Sequence, residues 1–178
     1  KRFYDFIIYD GAPYKQDWMA TTDTIYFRID QVHPSKNEID FVGADATKTG
    51  YQLKKRTDNL HSPAQSANNG TNHVYYRYAE VLLNYAEAQN EAVGPDASVY
   101  EAINDIRTRP GTDLPELKPG LSQVEMREAI HHERRIELFL EDKRLLDIWR
   151  WKTADAGMNK VLHRCKIENA ILADNSGN

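Results

Sequence analysis

The chain has 178 residues, 40% hydrophobic and 28% charged, with a net charge of −4. That is enough for one domain with its own core, or for part of a larger one, and too apolar for a disordered chain. No apolar run reaches the ~18 residues of a membrane span, the acidic balance speaks against a nucleic-acid surface, and the single Cys165 leaves neither a disulfide framework nor a cysteine-built zinc site.

The opening residues, Lys1-Arg2-Phe3-Tyr4-Asp5, have no initiator Met and no signal-peptide plan. The expectation is a mature or truncated chain whose export signal or lipid anchor lies outside it. Residues 1–72 hold ten of the eighteen aromatic residues, broken by turn signals at Asp10-Gly11, Pro13, Pro34, Gly43 and Gly50. Phe3 to Tyr9 and Thr24 to Ile29 are aromatic and β-branched enough to predict short strands. His61 to Asn72 is polar and rich in Asn, and reads as a loop. Its Asn69-Gly70-Thr71 matches a glycosylation sequon too short to separate from chance.

From His73 the period becomes helical. Tyr75, Tyr78, Ala79, Leu82, Leu83 and Ala86 recur at the spacing of one helix face, and Gly94-Pro95 stops that helix. A second helix runs from Asp96 or Ser98 to Arg109, with Ser98 and Glu101 as a capping box and Ala102, Ile103 and Ile106 facing inward. The third start signal is the strongest: Ser122 and Glu125 form a capping box, and Leu121 staples onto Met126. That helix continues to Leu140, and a shorter one covers Lys143 to Trp151 after a break near Glu141-Asp142. Short connections between such helices favour antiparallel hairpins. The predicted fold is mainly α, with tetratricopeptide-like antiparallel helix hairpins and a loop-rich, partly β N-terminal segment. Its parts are residues 1–72, a helical scaffold at 73–157, and an atypical end at 158–178.

Catalytic patterns are weak. Glu128-x-x-His131 is half of a di-iron carboxylate motif and has no second copy; a solvated helix face explains it more simply. The acid pairs Glu133/Glu137, Glu137/Glu141 and Asp142/Asp147 are interleaved with Arg134, Arg135, Arg144 and Arg150. Side-by-side acids on one helix do not straddle a sugar as a glycosidase requires, so an ion-pair lattice between helices is the preferred reading. Cys165 reads as a structural thiol. No metal or cofactor is expected.

Aromatic residues are the better lead. A flat ring stacks on the C–H face of a sugar while amides bond its hydroxyls. Tyr14, Gln16 and Trp18 supply that mixture in one loop, and Asn68 and Asn69 supply amides in another. The alternative, equally open, is that Tyr14 and Trp18 anchor their loop to the core. Trp149 and Trp151 read as packing residues between helices.

Several stretches together resemble the RagB/SusD family. Arg77 to Ala88 is similar to its RYAEVLLNYAEA signature, and Ala102 to Arg109 to its next helix. His132 to Leu138 followed by Arg144 to Trp151 is similar to its HERRxEL and RxxDxxRW segments. Arg2-Phe3-Tyr4 and Gly50 to Lys55 add upstream likenesses, so that the resemblance spans about residues 1–152. The resemblance implies a surface lipoprotein of Bacteroidota outer membranes, without catalysis, that binds oligosaccharide as the lid of a SusC-like TonB-dependent transporter. It also implies that this chain is the C-terminal part of a longer protein. Its lipid anchor would lie outside these residues. Two rivals stay open: a helical protein-interaction scaffold, and a glycoside hydrolase fragment.

Overall fold

The computed structural model describes residues 1–25, 49–60, 70–155, 159 and 161. The chain divides into two units: Lys1–Asp5 with Thr71–Lys160, and Phe6–Gly70 with Val161–Asn178.

The first unit is helical, as the sequence predicts. After the short α1 (Arg2–Phe6), whose first residues belong here, come α2 (Tyr78–Val93), α3 (Ala97–Thr108), α4 (Gln123–Glu137) and α5 (Arg144–Arg150). Each long helix has a local cause. Gly94 ends α2 at φ 95°, a conformation costly for any residue with a Cβ, and its N–H returns to the Asn90 carbonyl at 3.0 Å. The Asp96 carboxylate caps α3 by accepting from the Ser98 and Val99 amides. Ser122 caps α4 with the predicted box, its own amide donating to Glu125 at 2.8 Å. α4 ends at Glu137, three residues before the expected Leu140, and turns with positive φ at Leu140 and Asp142 lead into α5.

Pairings across the helices give their directions. Tyr85 bonds Ser98 and Gln89 bonds Asp96, so α3 returns antiparallel to α2. Gln123 reaches the Asn90 carbonyl, Arg127 reaches Glu91 and Arg134 reaches Asn84, so α4 also runs antiparallel to α2. Lys143 meets Glu80 and Arg150 meets Glu87, so α5 runs parallel to it. Ala86, Val99, Ala102, Ile103, Met126 and Ile130 fill one part of the core, with Leu121 stapled against them. Ala79, Leu83, Ile106 and Leu138 fill the other.

The second unit holds two small antiparallel ribbons. β1 (Ile7–Ile8) pairs with β4 (Gln52–Leu53), and β2 (Ala12–Tyr14) pairs with β3 (Asp23–Ile25). Ile8, Ala12 and Ile25 close a small core, against which Tyr9 and Tyr14 pack. Among the described residues no helix is long and apolar enough to cross a membrane.

Three other local expectations change, and one lies outside the described residues. Phe3 to Phe6 is helical rather than extended, leaving only Ile7 and Ile8 in strand. Residues 26–29 of the second predicted strand lie outside the described residues. Ser98 does not cap α3, because Asp96, two residues upstream, already holds its first free amides, and the Ser98 hydroxyl bonds Asp96 instead. Tyr75 and Tyr78 do not share the buried face of Ala79, Leu83 and Ala86: Tyr75 precedes the helix, and Tyr78 points to solvent about 100° around the axis from Ala79.

Candidate functional site

Three of the sequence-selected residues fall together: Tyr14 ends β2, and Gln16 and Trp18 lie in the loop between β2 and β3. β2 and β3 pair with Ala12 opposite Ile25 and Tyr14 opposite Asp23, which brings both ends of the loop onto the small core. Tyr14 is half-buried there, and its hydroxyl accepts from the Gln16 Nε2 at 2.7 Å. Gln16 is only 2% exposed. Its Oε1 is buried without a hydrogen-bond partner, a destabilising arrangement that good packing must offset. A tight turn follows, the Met19 amide donating to the Gln16 carbonyl at 3.0 Å, while the Asp17 amide donates to Asn59 at 2.9 Å. That turn holds Trp18 outward, 40% exposed. The structure thus brings Tyr14 and Gln16 together as the loop's anchor and leaves Trp18 as its open ring. Asn68, Asn69 and Cys165 lie outside the described residues.

The acid pairs of the helical unit are engaged by bases. Glu133, Glu137 and Glu141 line up on one side of α4 and its extension. Arg77 donates to Glu137 at 2.7 Å and to both oxygens of Glu141, at 2.7 and 2.9 Å. Arg109 meets Glu137 at 2.6 Å, and Arg107 meets Glu133 at 2.9 Å. Buried Arg2 lies between Glu133 and Glu137, at 2.5 and 3.2 Å. Burial alone would raise the Glu137 carboxyl, but the hydrogen bonds from Arg109 and Arg77 and the charges of Arg109 and Arg2 outweigh it and hold its pKa below the ordinary value. A carboxylate so held is a poor general acid, and Glu133 and Glu137 share one face of α4, with Glu141 in the turn that follows, all three engaged by arginines.

A second knot joins α4 to α5 and α2. Arg134 Nε spans both oxygens of Asp147 at 2.8 Å, and its Nη1 donates to Asn84 at 2.6 Å. A third centres on Glu87, which accepts from Arg150 and from the Trp151 indole at 2.8 Å. His131 stacks on Trp151, ring centroids 3.6 Å apart. Burial lowers the His131 pKa despite the opposing pull of Glu87 and Glu128. This position makes His131 a packing residue; among the described residues no group of three or more His, Cys, Asp or Glu is placed to hold a metal ion. Trp151 packs as expected, whereas Trp149 is 62% exposed, because Asp147, not Trp149, takes the inward face of the short α5.

Sequence reasoning foresaw the lattice on α4 but missed two of its parts. Arg2, beside Lys1 and ahead of an aromatic run, gave no sign that it pairs with α4. Glu80, Asn84 and Glu87 gave one, spaced four and three apart along one side of the helix.

The family model described as the SusD family matches residues 1–175. A SusD-like protein P2 of Formosa agariphila is 41% identical over 96 residues, 49% of this chain and 19% of its own length. A SusD-like protein of Bacteroides fragilis has a crystal structure that matches 86% of this chain at 32% identity and TM-score 0.68, over 28% of its own length. A second B. fragilis structure, titled a SusD-like carbohydrate binding protein, matches 86% of this chain at 29% identity and TM-score 0.64, over 29% of its length. The chain therefore spans less than a third of the length of these relatives.

Proposed function

The chain belongs to the SusD family, and from that premise we propose that it is part of a non-catalytic glycan-binding protein of a bacterial outer-membrane surface. The protein captures oligosaccharide and passes it to a SusC-like TonB-dependent transporter, held at the membrane by a lipid anchor outside these residues. The observation that carries the proposal is the open Trp18 ring on a loop pinned by Tyr14 and buried Gln16. Trp18 offers a face for the C–H side of a sugar. Because the Tyr14 hydroxyl already accepts from Gln16, its proton is left to donate outward. Asn68 and Asn69 are proposed to add amide contacts on the strength of their chemistry. One stack contributes on the order of 1 kcal/mol, and hydroxyl bonds exchange with water, so affinity is modest, as suits a ligand that must be released.

Calorimetry of the full-length protein against a glycan panel, with tryptophan fluorescence in parallel, tests this. Binding of at least one glycan, with a fluorescence change that disappears in Trp18→Phe, is expected. Absence of binding to every glycan tested, or release of reducing sugar during the titration, refutes the proposal.

A further inference from the structure

α2 has a second apolar face. Tyr78, Val81, Tyr85, Ala88 and Ala92 follow one another at steps of three and four residues, which places them in one stripe along the sixteen-residue helix. All five are exposed, the first three at 70%, 43% and 46%. The buried face, formed by Ala79, Leu83, Ala86 and Asn90, lies on the other side, its mean direction roughly 150° away at about 100° per residue. The edges of the stripe are occupied. On one side Glu80, Asn84 and Glu87 are tied to Lys143, Arg134 and Arg150; on the other Tyr85 bonds Ser98 and Gln89 bonds Asp96. No charge interrupts the stripe itself.

A helix at the outer end of a helical array is polar on its solvent side, whereas one inside the array is apolar on both. By that criterion α2 is an inner helix. The solved relatives of this family have room for more helices: this chain accounts for 28% and 29% of their lengths. We propose that the stripe seats another amphipathic helix of the same polypeptide, from the part of the protein outside these 178 residues. The taper from tyrosine to alanine gives its shape. The incoming helix approaches closest at Ala88 and Ala92 with larger aliphatic side chains, and offers small ones opposite Tyr78 and Tyr85. This inference rests on family membership and is independent of the glycan site.

Hydroxyl-radical footprinting of the full-length protein, read by mass spectrometry, tests it without any substitution. Oxidation of Tyr78 and Tyr85 is expected to be about tenfold slower in the folded monomer than in denaturant, as for ring atoms shut from solvent. Val81→Arg in the same protein is expected to lower the melting temperature by about 5 °C or more, against under about 1 °C for an open surface site. Rapid oxidation of both tyrosines in the folded monomer overturns the proposal. So does protection that vanishes on dilution with dissociation of a dimer, which assigns the stripe to a second copy. Protection that arises only when a transporter co-purifies also overturns it, assigning the stripe to that partner.

Discussion

Glu137→Gln separates a buried ion lattice from a decorative one. The carboxylate is 0% exposed and is met by Arg77, Arg109 and Arg2. Glutamine keeps the shape and removes the charge. Arg77 retains both oxygens of Glu141, and Arg109 is partly open to water. Arg2 loses most: it is buried, ion-paired without hydrogen-bond geometry at Nε or Nη2, and left with Glu133 alone. Removing one partner of a buried pair costs about 3–5 kcal/mol, and relief at Arg77 and Arg109 places this case near the low end, at ~3 kcal/mol. At roughly 2–4 °C per kcal/mol for a chain of this size, the melting temperature falls by about 6–12 °C. The control is Glu91→Gln, which breaks the surface pair with Arg127 and costs ~0–1 kcal/mol. Circular dichroism melts at neutral pH read both. Acid adds a sign. The Glu137 pKa is depressed in the folded state, so its contribution is present above the unfolded carboxyl pKa of about 4.3 and is lost as pH falls through the folded value. The variant is therefore expected to show a shallower acid limb. A Glu137→Gln melt within about 2 °C of the parent, or equal to that of Glu91→Gln, refutes the reasoning.

Three other outcomes are expected. Ser122→Ala removes the acceptor for the Glu125 amide and lowers stability by about 1 kcal/mol; an unchanged urea midpoint would show that the cap is idle. His131 is held neutral by burial under Trp151, against Glu87 and Glu128 and with the charges of Arg150 and Arg127 adding to the effect. Its folded pKa lies below the unfolded value of about 6.5, so stability falls as pH drops through that value and the unfolded chain takes up the proton first. His131→Gln is expected to remove that slope between pH 7.5 and 5.5, and a slope equal to the parent's contradicts the assignment. Trp18→Ala is expected to weaken glycan binding about fivefold in calorimetry, the worth of one stack, and to lower stability by about 1–2 kcal/mol because the ring is only 40% exposed; unchanged affinity removes Trp18 from the proposed site.

The helices were legible because their ends are chemical. Ser122 with Glu125, Gly94 before Pro95, and Asp96 all mark boundaries through groups that satisfy free amides and carbonyls. The strands were legible only in part: β1 lies within the run Phe3 to Tyr9 and β3 overlaps Thr24 to Ile29, whereas β2 and β4 had no mark. β1 and β4 are two residues long, too short for alternation to register, and the aromatic run at Phe3 hid a helical turn whose purpose is to place Arg2. The inner face of α2 was misread by one helical neighbour, since Tyr78 and Ala79 are both apolar and only the pairing of Glu80, Asn84 and Glu87 tells which side faces in. The site was half legible. Chemistry selected Tyr14, Gln16 and Trp18, but whether a ring anchors or opens depends on the Gln16 turn, which sequence does not display.

The lattice also explains why so many charges sit between helices that could have packed with leucine alone. A stripe of Ala79, Leu83 and Ala86 against Ile106, Leu138 and Ile130 tolerates a slip of one turn, about 5.4 Å, with modest loss. The charges do not. Arg77 with Glu137 and Glu141, Arg134 with Asn84 and Asp147, Arg150 with Glu87, and Arg127 with Glu91 mark successive turns along α2. One turn of slip by α2 breaks its links together, taking Arg77 from Glu137 and Asn84 from Arg134. Apolar burial therefore supplies most of the stability, and the ion pairs choose the alignment. The corresponding observable is the amide spectrum of Glu137→Gln below its melting point. Doubled resonances along α2 and α4 follow if register has been loosened; a single shifted set means that the pairs contribute energy alone.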